Sequence, residues 1–284
     1  MTPNHKQRIW VITGVSSGLG KALAEQVMTQ GDRVIGTCRQ PGQVENFTTT
    51  NPGRGYGLLL DLTRRDQIEQ VAQAVEREWG RIDVLVNNAG FGFAGAIEET
   101  TDTELRAIFE TNFFGTMALT NAFLPLFRRQ RSGHIIQLSS HGGVRAFPGF
   151  GGYNASKFAL EGASEALAAE VAPLGINVSI VEPGPFRTDF AGSSFGQAAQ
   201  RLADYEPTAG AFRDRMAQVN GRQEGDPVKA AEAIWQLSNQ ENPPLRLPLG
   251  RIALASILAK IESLRQDVEA GRDVATQAVF EPAG

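Results

Sequence analysis

The feature that most constrains the fold is a regular alternation of short apolar runs with segments of helical periodicity. Six runs read as strands, because each is almost uniformly apolar and far shorter than a helix. They lie at residues 8–13, 33–38, 55–60, 82–87, 134–139 and 176–181. Strands without a polar face fit a parallel sheet that is covered by helices on both sides.

Helical patterns fill the spaces between these strands. In residues 18–31 and 63–80 apolar side chains recur every three or four positions, and a glycine stands where each helix would end. Repeated strand–helix units predict a doubly wound α/β sheet. Since no linker, repeat or low-complexity tract divides the chain, we expect a single domain with a core over about residues 8–184.

The alternation of strand and helix patterns ends after Val181. Residues 182–210 are rich in Gly, Ser and Pro, and a long irregular segment inside a compact domain is usually functional. We therefore expect a substrate lid over about residues 185–225. Helical patterns follow at 226–240 and 254–271, with a short strand candidate at 245–250 between them.

Composition excludes several classes of protein. The formal net charge of −4 and the lack of a basic run disfavour nucleic-acid or anionic-membrane partners. The one cysteine, Cys38, cannot form an internal disulfide, and none of the three histidines lies at metal-ligand spacing. No signal-peptide core is present, and no apolar run approaches the ~20 residues of a membrane span. We expect a cytoplasmic protein that holds no metal.

The first strand runs into the glycine-rich sequence TGVSSGLG, residues 13–20, which opens the first helix. Glycines at 14, 18 and 20 allow a tight turn and the close approach of a pyrophosphate to the helix N-terminus. A tight strand–helix connection without a ligand is the simpler interpretation, but the position is the one that a dinucleotide fold requires. The candidate cofactor-binding residues here are Gly14, Ser16, Ser17, Gly18, Leu19 and Gly20.

The end of the second strand bears on the choice of dinucleotide. NAD-binding folds usually carry an acidic residue there, whereas an arginine suits the 2′-phosphate of NADP. This chain has Arg39, with no Asp or Glu beside it. A guanidinium can grip a phosphate through two parallel hydrogen bonds. We therefore predict a preference for NADP(H), with NAD(H) possible; the alternative is that Arg39 is only a solvated loop charge.

Polar groups also follow the third and fourth strands. Asp61, next to Leu62, is placed to accept a hydrogen bond from an adenine amino group. The fourth strand ends in NNAG, residues 87–90, so Asn88, Ala89 and Gly90 stand at the carboxyl edge where open α/β sheets bind ligands. An Asn-Asn pair can also be merely a turn.

Together these motifs resemble the classical short-chain dehydrogenase/reductase family over about residues 8–190. The matching segments are TGVSSGLG, NNAG, Asn112 in FETNFFG, Ser140 in QLSSHGG, YNASK at 153–157, and EPG at 182–184. The resemblance implies a Rossmann-like domain with a seven-stranded parallel sheet. It also implies a catalytic tetrad of Asn112, Ser140, Tyr153 and Lys157. The cofactor site would be completed by Tyr153, Lys157, Pro183, Gly184, Phe186 and Thr188.

One departure concerns the glycine turn. Some NADP-preferring members of the family have a basic residue just before its second glycine, where this chain has Ser17. The predicted preference for NADP(H) therefore depends on Arg39. The resemblance further implies a homodimer or homotetramer assembled through the helices that carry Asn112 and Tyr153.

Tyr153 and Lys157 are four residues apart, so they share one face of a helix. A phenol is a suitable proton donor for carbonyl reduction, but its ordinary pKa near 10 makes it a poor base. An ammonium about 4 Å away would favour the phenolate by about 4 kcal/mol at an effective dielectric of 20. We therefore expect Lys157 to lower the pKa of Tyr153 toward neutrality, where both proton-transfer directions are efficient.

The other two tetrad members have simpler alternatives. Ser140 would hold the substrate oxygen against the phenol, but it could also be only a cap or turn residue. The resemblance gives Asn112 the task of holding a water that links Lys157 to solvent, although it could be an ordinary polar residue of a helix. His141, next to Ser140, is not expected to act with it as a nucleophile pair, because no nucleophile-elbow motif surrounds the serine.

Seven phenylalanines fall in loops at the expected carboxyl edge of the sheet: Phe91, Phe93, Phe147, Phe150, Phe186, Phe190 and Phe195. They predict a hydrophobic pocket for a bulky apolar ketone, aldehyde or secondary alcohol, such as a steroid- or retinoid-like compound. The expected function is thus an NADP(H)-dependent oxidoreductase. The alternative is a cofactor-binding sensor or scaffold without turnover, since a fold alone does not establish a function.

Overall fold

The computed structural model describes residues 7–192 and 195–280. Its strands are β1 (Ile9–Thr13), β2 (Arg33–Cys38), β3 (Gly55–Leu59), β4 (Val84–Asn87), β5 (Gly92–Ala94), β6 (Gly133–Leu138), β7 (Ile176–Pro183), β8 (Phe195–Gln197) and β9 (Arg246–Leu249). Its α-helices are α1 (Gly18–Thr29), α2 (Pro41–Thr50), α3 (Arg65–Trp79), α4 (Asp102–Phe109), α5 (Thr116–Gln130), α6 (Gly151–Val171), α7 (Ala211–Val219), α8 (Pro227–Leu237), α9 (Arg251–Ala270) and α10 (Arg272–Gln277).

Seven strands form one parallel sheet in the order β3-β2-β1-β4-β6-β7-β9. One face is covered by α1, α2 and α8, which bury side chains such as Leu23, Phe47 and Ile234 against it. The other face is covered by α3, α5 and α6, with Val71 and Phe123 in its core. The predicted doubly wound, seven-stranded, single-domain fold is confirmed.

The sheet fixes where a ligand can bind. The chain leaves β1 toward β2 and β3 on one side, and then returns to place β4 on the other side of β1. Helices therefore diverge at the carboxyl ends of β1 and β4, and this switch in winding direction opens a crevice there. The glycine turn after β1 and the NNAG segment after β4 lie at this crevice.

The six predicted strands and the strand candidate at 245–250 are all present, with ends that differ by one or two residues. Local patterns did not predict α2 or the small parallel pair formed by β5 and β8. The segment 182–210, expected to be irregular, contains β8 and short helical turns, and α7 follows it. Ser193 and Ser194, within the expected lid, lie outside the described residues.

The apolar pattern of the segment before α5 suggests a regular α-helix, but the structure differs there. Glu110–Gly115 form a π-helical turn between α4 and α5. Such turns are rare and occur often at functional sites. None of the helices within 7–192 and 195–280 combines the length and apolarity needed to cross a membrane.

Candidate functional site

The turn after β1 is shaped by three glycines. Gly14 and Gly18 have φ angles of 72° and 60°, in the left-handed region that side chains rarely adopt. At Gly20, an added Cβ atom would lie 2.3 Å from the carbonyl oxygen of Gly14. Ser17 precedes α1 without capping it through its side chain. The first N–H groups of α1 therefore remain available to an anion.

Asn88 holds this turn in place. Its Nδ2 atom donates hydrogen bonds to the carbonyl oxygens of Thr13 at 2.8 Å and Gly14 at 3.3 Å. The backbone N–H groups of Asn88 and Ala89 each donate to the Thr13 hydroxyl at 2.9 Å. The amide before it, Asn87, is buried and donates to Thr120 and Gln137. Both side-chain amide groups thus donate to protein atoms of the fold.

Arg39 lies just after β2 and is exposed. It makes no hydrogen bond or ion pair with any residue in the described ranges, so its guanidinium is free to meet a ligand. Ser16 and Ser17, also exposed, lie on the wall of the same cavity. This arrangement provides one cation and two hydroxyl groups at the nucleotide end of the crevice.

Asp61 follows β3 and its carboxylate is already partly engaged. Oδ1 accepts hydrogen bonds from the Thr63 N–H at 2.9 Å and from the Thr63 hydroxyl at 2.8 Å. The Asp61 N–H donates to Gln67 Oε1 at 2.7 Å. These bonds fix the carboxylate at the edge of the cavity. The neighbouring Leu62 is in close contact with the end of the π-helical turn, since a Cβ added at Gly115 would lie 2.3 Å from the Leu62 carbonyl oxygen.

A single cavity of about 840 Å³ runs from the glycine turn to the segment after β7. It brings together eighteen of the twenty candidate residues, from seven separate parts of the chain. These are Gly14, Ser16, Ser17, Gly18, Leu19, Arg39, Asp61, Leu62, Asn88, Ala89, Gly90, Ser140, Tyr153, Lys157, Pro183, Gly184, Phe186 and Thr188. Gly20 and Asn112 lie behind the wall and act on it through the residues they contact.

Tyr153 lies in the first turn of α6, buried in the cavity wall. Its ring stacks on Phe150, with centroids 4.2 Å apart. Burial raises the pKa of the Tyr153 phenol to about 12, and the hydroxyl of Ser140 partly opposes this by hydrogen bonding. Ser140, at the end of β6, in turn accepts a hydrogen bond from the Gly142 N–H at 2.9 Å. The two hydroxyl groups therefore form one polar spot in an aromatic surface.

Lys157 lies one helical turn further along α6 and is also buried. Its Nζ atom donates to the Leu138 carbonyl oxygen at 2.7 Å and lies 5.9 Å from the centroid of the Tyr153 ring. Burial lowers the pKa of the Lys157 ammonium to about 8, while the charge of Glu161 raises it. Helical spacing does bring the two side chains together, as the sequence predicted.

The predicted direction of the Tyr153 pKa is wrong for this structure. We expected the lysine charge to lower the pKa toward neutrality, but burial dominates and raises it. The physical reason is that both groups are removed from water. The phenolate loses hydration, and Lys157, with a pKa of about 8, has lost its proton before the pH at which the phenol ionises, so its charge does not compensate. Lys157 also points its ammonium at a backbone carbonyl.

Asn112 lies in the π-helical turn and is almost fully buried. Its Oδ1 atom accepts from the Phe91 N–H at 3.1 Å, and its Nδ2 atom donates to the Phe91 carbonyl at 3.0 Å. Nδ2 also donates to the Ser156 hydroxyl at 3.2 Å. The side chain therefore pairs with the loop after β4 as a neighbouring strand would. A Cβ added at Gly90 would lie 3.0 Å from Asn112 Oδ1 and 3.7 Å from Lys157 Nζ, so these groups share one corner.

A cluster of carboxylates lies behind Lys157, and sequence patterns did not reveal it. Arg246 of β9 makes ion pairs with Glu161, Glu165 and Glu182. Burial raises the pKa of the Glu161 carboxyl, and burial together with the charge of Glu161 raises the pKa of Glu182 to about 7. The spacing of four residues between Lys157 and Glu161 is the feature of the sequence that could have indicated a carboxylate beside the ammonium.

Aromatic rings form a large part of the cavity wall. Phe91, Phe147, Phe150, Phe186 and Phe190 line the cavity as expected. Phe93 does not line it, because it packs into a separate small core with Ile108 and Ala198. Phe195 lies behind the wall, 6.0 Å from Phe150 between ring centroids.

Sequence reasoning missed the contribution of α7. Phe212, Met216 and Val219 of this helix line the cavity, and the Phe212 ring lies 4.9 Å from Phe150. Their spacing of three to four residues was the available signal. His141 is also on the wall, beside Phe147, and makes no hydrogen bond with Ser140. Burial lowers the pKa of the His141 ring to about 4, so it is neutral near pH 7.

The fold and cavity thus define an α/β protein with a dinucleotide-type crevice and a buried Ser–Tyr–Lys group at its far end. Comparison with known proteins gives the family. The model of the short chain dehydrogenase family matches residues 8–199. A short-chain dehydrogenase from Streptomyces avermitilis, known from its crystal structure, is 42% identical with a TM-score of 0.91, covering 97% of this chain and 100% of that one.

Two curated relatives are similar over most of their length. An oxidoreductase, BOA17, from Botryotinia fuckeliana is 39% identical over 86% of this chain and 89% of its own. A 3-ketodihydrosphingosine reductase from Bacteroides thetaiotaomicron is 38% identical over 92% of this chain and 94% of its own. This chain belongs to the short-chain dehydrogenase/reductase family of oxidoreductases.

Proposed function

We propose that this protein is an NADP(H)-dependent oxidoreductase that transfers a hydride between the nicotinamide and a carbonyl or secondary alcohol. The observation that carries the proposal is the position of Ser140, Tyr153 and Lys157 on the wall of the cavity that starts at the glycine turn. A reacting carbonyl there would meet two hydroxyl groups on one side and the cofactor on the other. Such positioning is a large part of catalysis.

The cavity fits a dinucleotide at the glycine turn. Any side chain at Gly20 would collide with the loop, and the free N–H groups of α1 face the crevice, which suits a pyrophosphate. The candidate residues for the nicotinamide end, Pro183, Gly184 and Thr188, line the same cavity as Asn88, Ala89 and Gly90 of the NNAG segment. Thr188 is also close to the turn, since a Cβ added at Gly18 would lie 3.6 Å from its Cβ.

Tyr153 is the proposed general acid and base. With a pKa of about 12 it is fully protonated near pH 7, which suits donation of a proton to a developing alkoxide in the reductive direction. The bound cofactor supplies the hydride, and in its oxidised form a positive charge. That charge, added to the Lys157 ammonium, would favour the phenolate needed for alcohol oxidation. Ser140 orients the substrate oxygen toward the phenol.

Lys157 and Asn112 have supporting roles in this scheme. Lys157 supplies positive charge beside the phenol, held by its hydrogen bond to Leu138. Asn112 fixes the Phe91 backbone that borders the ammonium. Its Oδ1 and Nδ2 atoms both bind protein atoms, so we assign it the positioning of this wall, and any water it holds for a proton relay would bind the remaining lone pair of Oδ1.

The proposed preference for NADP(H) rests on Arg39. It is exposed beside the cavity without a partner among the described residues, and no carboxylate follows β2 to hold a ribose 2′-hydroxyl. A phosphate on that hydroxyl would give the guanidinium a charge-assisted bond. NAD(H) would bind through the rest of the crevice without this contact.

We propose a bulky apolar substrate, because its part of the cavity is built from aromatic and aliphatic side chains. Phe150, Phe190, Phe212 and Met216 surround the polar spot at Tyr153. Residues 185–225, which carry α7 and Phe190, would act as the lid over this substrate. The relative named as a 3-ketodihydrosphingosine reductase supports a ketone of this kind.

The experiment is NADPH oxidation with a panel of bulky carbonyl compounds by wild type and Tyr153→Phe. We expect the variant to lose about 10²–10⁴-fold in kcat, the usual worth of a general acid, while NADPH binding measured by fluorescence is kept. Tyr205→Phe is the matched control, since the hydroxyl of that half-buried tyrosine donates a hydrogen bond to Glu98 at the surface and does not line the cavity.

Two outcomes would oppose the proposal. Equal rates for wild type and Tyr153→Phe would remove the tyrosine from the chemistry. NADPH binding without turnover of any carbonyl or alcohol in the panel would favour the sensor alternative. Turnover of small polar sugars alone would contradict the bulky apolar substrate and leave the hydride chemistry intact.

A further inference from the structure

The helix α9 is anchored only at its start. Ala253, Ser256 and Ile257 are buried against the body of the protein. From Leu258 to Phe280, every residue is exposed except Lys260, which is half-buried. The last three turns of α9 therefore have no packing partner within the described part of the chain.

Helix α9 nevertheless carries a continuous apolar stripe, most of it within this unpartnered segment. Its members are 46 to 70% exposed: Leu254, Leu258, Ile261, Leu264 and Val268. Isolated helices of this length are marginal in water, and contiguous exposed apolar surface marks a binding face. The stripe thus requires a covering surface.

The spacing of the stripe indicates another helix. Ile257, Ile261, Leu264 and Val268 follow one another at separations of four, three and four residues. This is the spacing of the apolar seam in a two-stranded coiled coil. Ile257 is covered by the body, while the next three side chains remain open to a partner.

The charges beside this apolar seam indicate which helix packs against it. Glu262 pairs with Arg265, and Glu269 pairs with Arg272, both within the chain. Lys260 and Asp267, each just before a seam residue, make no hydrogen bond or ion pair through their side chains with any residue described. They lie seven residues apart on one flank of the stripe, with opposite charge.

Two copies of this flank complement each other only when the helices run in opposite directions. Ile261 then faces Leu264 of the second copy, and the symmetry repeats this layer. Lys260 lies beside this layer, next to Asp267 of the second copy, and the symmetry repeats that pair as well. In the parallel arrangement Lys260 would instead face Arg265 of the second copy, which is repulsive.

We propose that the exposed stripe of α9 pairs antiparallel with α9 of a second copy of this chain. This surface is distinct from the one expected on the helices of Asn112 and Tyr153. A lipid surface is a poorer match, because residues 258–280 carry three basic and four acidic side chains and so lack the basic excess of interfacial helices. The proposal does not depend on the reaction that the protein catalyses.

Charge exchange tests the pairing, with mass measured by light scattering over a dilution series. Lys260→Asp and Asp267→Lys each place like charges together at two sites, so we expect about a tenfold or larger rise in the dissociation constant of one assembly step. The double variant, with both changes, should return to the wild-type constant. Identical behaviour of all four proteins, or a double variant as weak as the singles, would overturn the proposal.

Cysteine cross-linking tests the direction. The native Cys38 is buried, so we expect it to form no cross-link of its own. Ile261→Cys and Leu264→Cys, made separately and then mixed under oxidation, should give a mixed disulfide, while neither protein alone should cross-link. Efficient cross-linking of Leu264→Cys with itself would show parallel packing and overturn the proposal. Monomeric wild type that sediments with phosphatidylcholine vesicles would also overturn it, in favour of a lipid surface.

Discussion

The two ends of the cavity are built in different ways. At the glycine turn, the wall consists of backbone and small residues held by Asn88. Its shape depends on the absence of side chains at Gly14, Gly18 and Gly20. At the Tyr153 end, the wall consists of large side chains from α6, α7 and the segment after β7. The glycine turn has almost no room for added side-chain atoms, whereas the large side chains at the Tyr153 end can repack. This difference predicts that changes at the turn affect folding and cofactor, and changes at the far end affect chemistry and substrate.

The largest effect is expected from Gly20→Ala. Its Cβ would lie 2.3 Å from the Gly14 carbonyl oxygen and 2.4 Å from Asn88 Nδ2, so the turn must open. We expect a loss of about 1–3 kcal/mol in the free energy of unfolding, and loss of NADPH binding. Denaturant titration and fluorescence titration measure the two quantities.

Gly42→Ala is the control, because an added Cβ there meets nothing within 4 Å. In the helix α2 it should be neutral or slightly stabilising. If Gly20→Ala bound NADPH as wild type does, the turn would not be the rigid end of the cavity.

A second effect concerns the nucleotide choice. Arg39→Glu should weaken NADPH by about 10- to 100-fold relative to NADH, because a charge-assisted bond is replaced by repulsion from the 2′-phosphate. The measurement is the ratio of kcat/KM for the two cofactors. Lys229→Glu, an equal charge change at an exposed position of α8, should leave the ratio unchanged. An unchanged ratio for Arg39→Glu would make Arg39 a solvated loop charge.

A smaller effect is expected at the Tyr153 end of the cavity, where Glu161 acts on the reaction only through Lys157. The charge of Glu161 raises the pKa of Lys157, which is about 8, so Glu161→Gln should lower it. Because the ammonium is the charged form below that pKa, any fall in reductive activity on the alkaline side should begin at lower pH in the variant. The kcat–pH profile measures this shift.

Glu165→Gln is the matched control for Glu161→Gln. It removes another carboxylate that bonds Arg246, but one that does not act on Lys157. Its alkaline limb should stay where the wild type has it. Equal shifts in both variants would mean that loss of the Arg246 ion pairs, and not the charge beside Lys157, controls the profile.

The smallest effect is expected in the aromatic wall. Phe212→Ala should raise KM for bulky ketones several-fold while leaving kcat for a small carbonyl unchanged, because Phe212 contacts Phe150 and not the reacting groups. Phe280→Ala, a fully exposed ring, is the control. A fall in kcat for both substrates would place α7 in the chemistry and weaken the contrast between the two ends.

Local sequence was enough for most of the architecture. Uniformly apolar runs predicted the strands, and glycine spacing placed the turn at the crevice. The misses have a common cause: α2, the β5–β8 pair and the wall contributed by α7 have short or weakly periodic patterns that are stabilised by distant contacts. Phe93 illustrates the same limit, because its loop position did not reveal that it packs with Ile108 and Ala198.

The sequence alone determined the order of the elements and the family, because strand periodicity and glycine geometry are local properties of the backbone. It also placed Tyr153 and Lys157 on one helical face. Only the tertiary structure decided their electrostatics. Burial by the aromatic wall raises the pKa of the Tyr153 phenol, while burial lowers the pKa of the Lys157 ammonium and the charge of Glu161, which pairs with Arg246 on β9, raises it. Desolvation and charge depend on which groups meet in space, and no spacing along the chain records that.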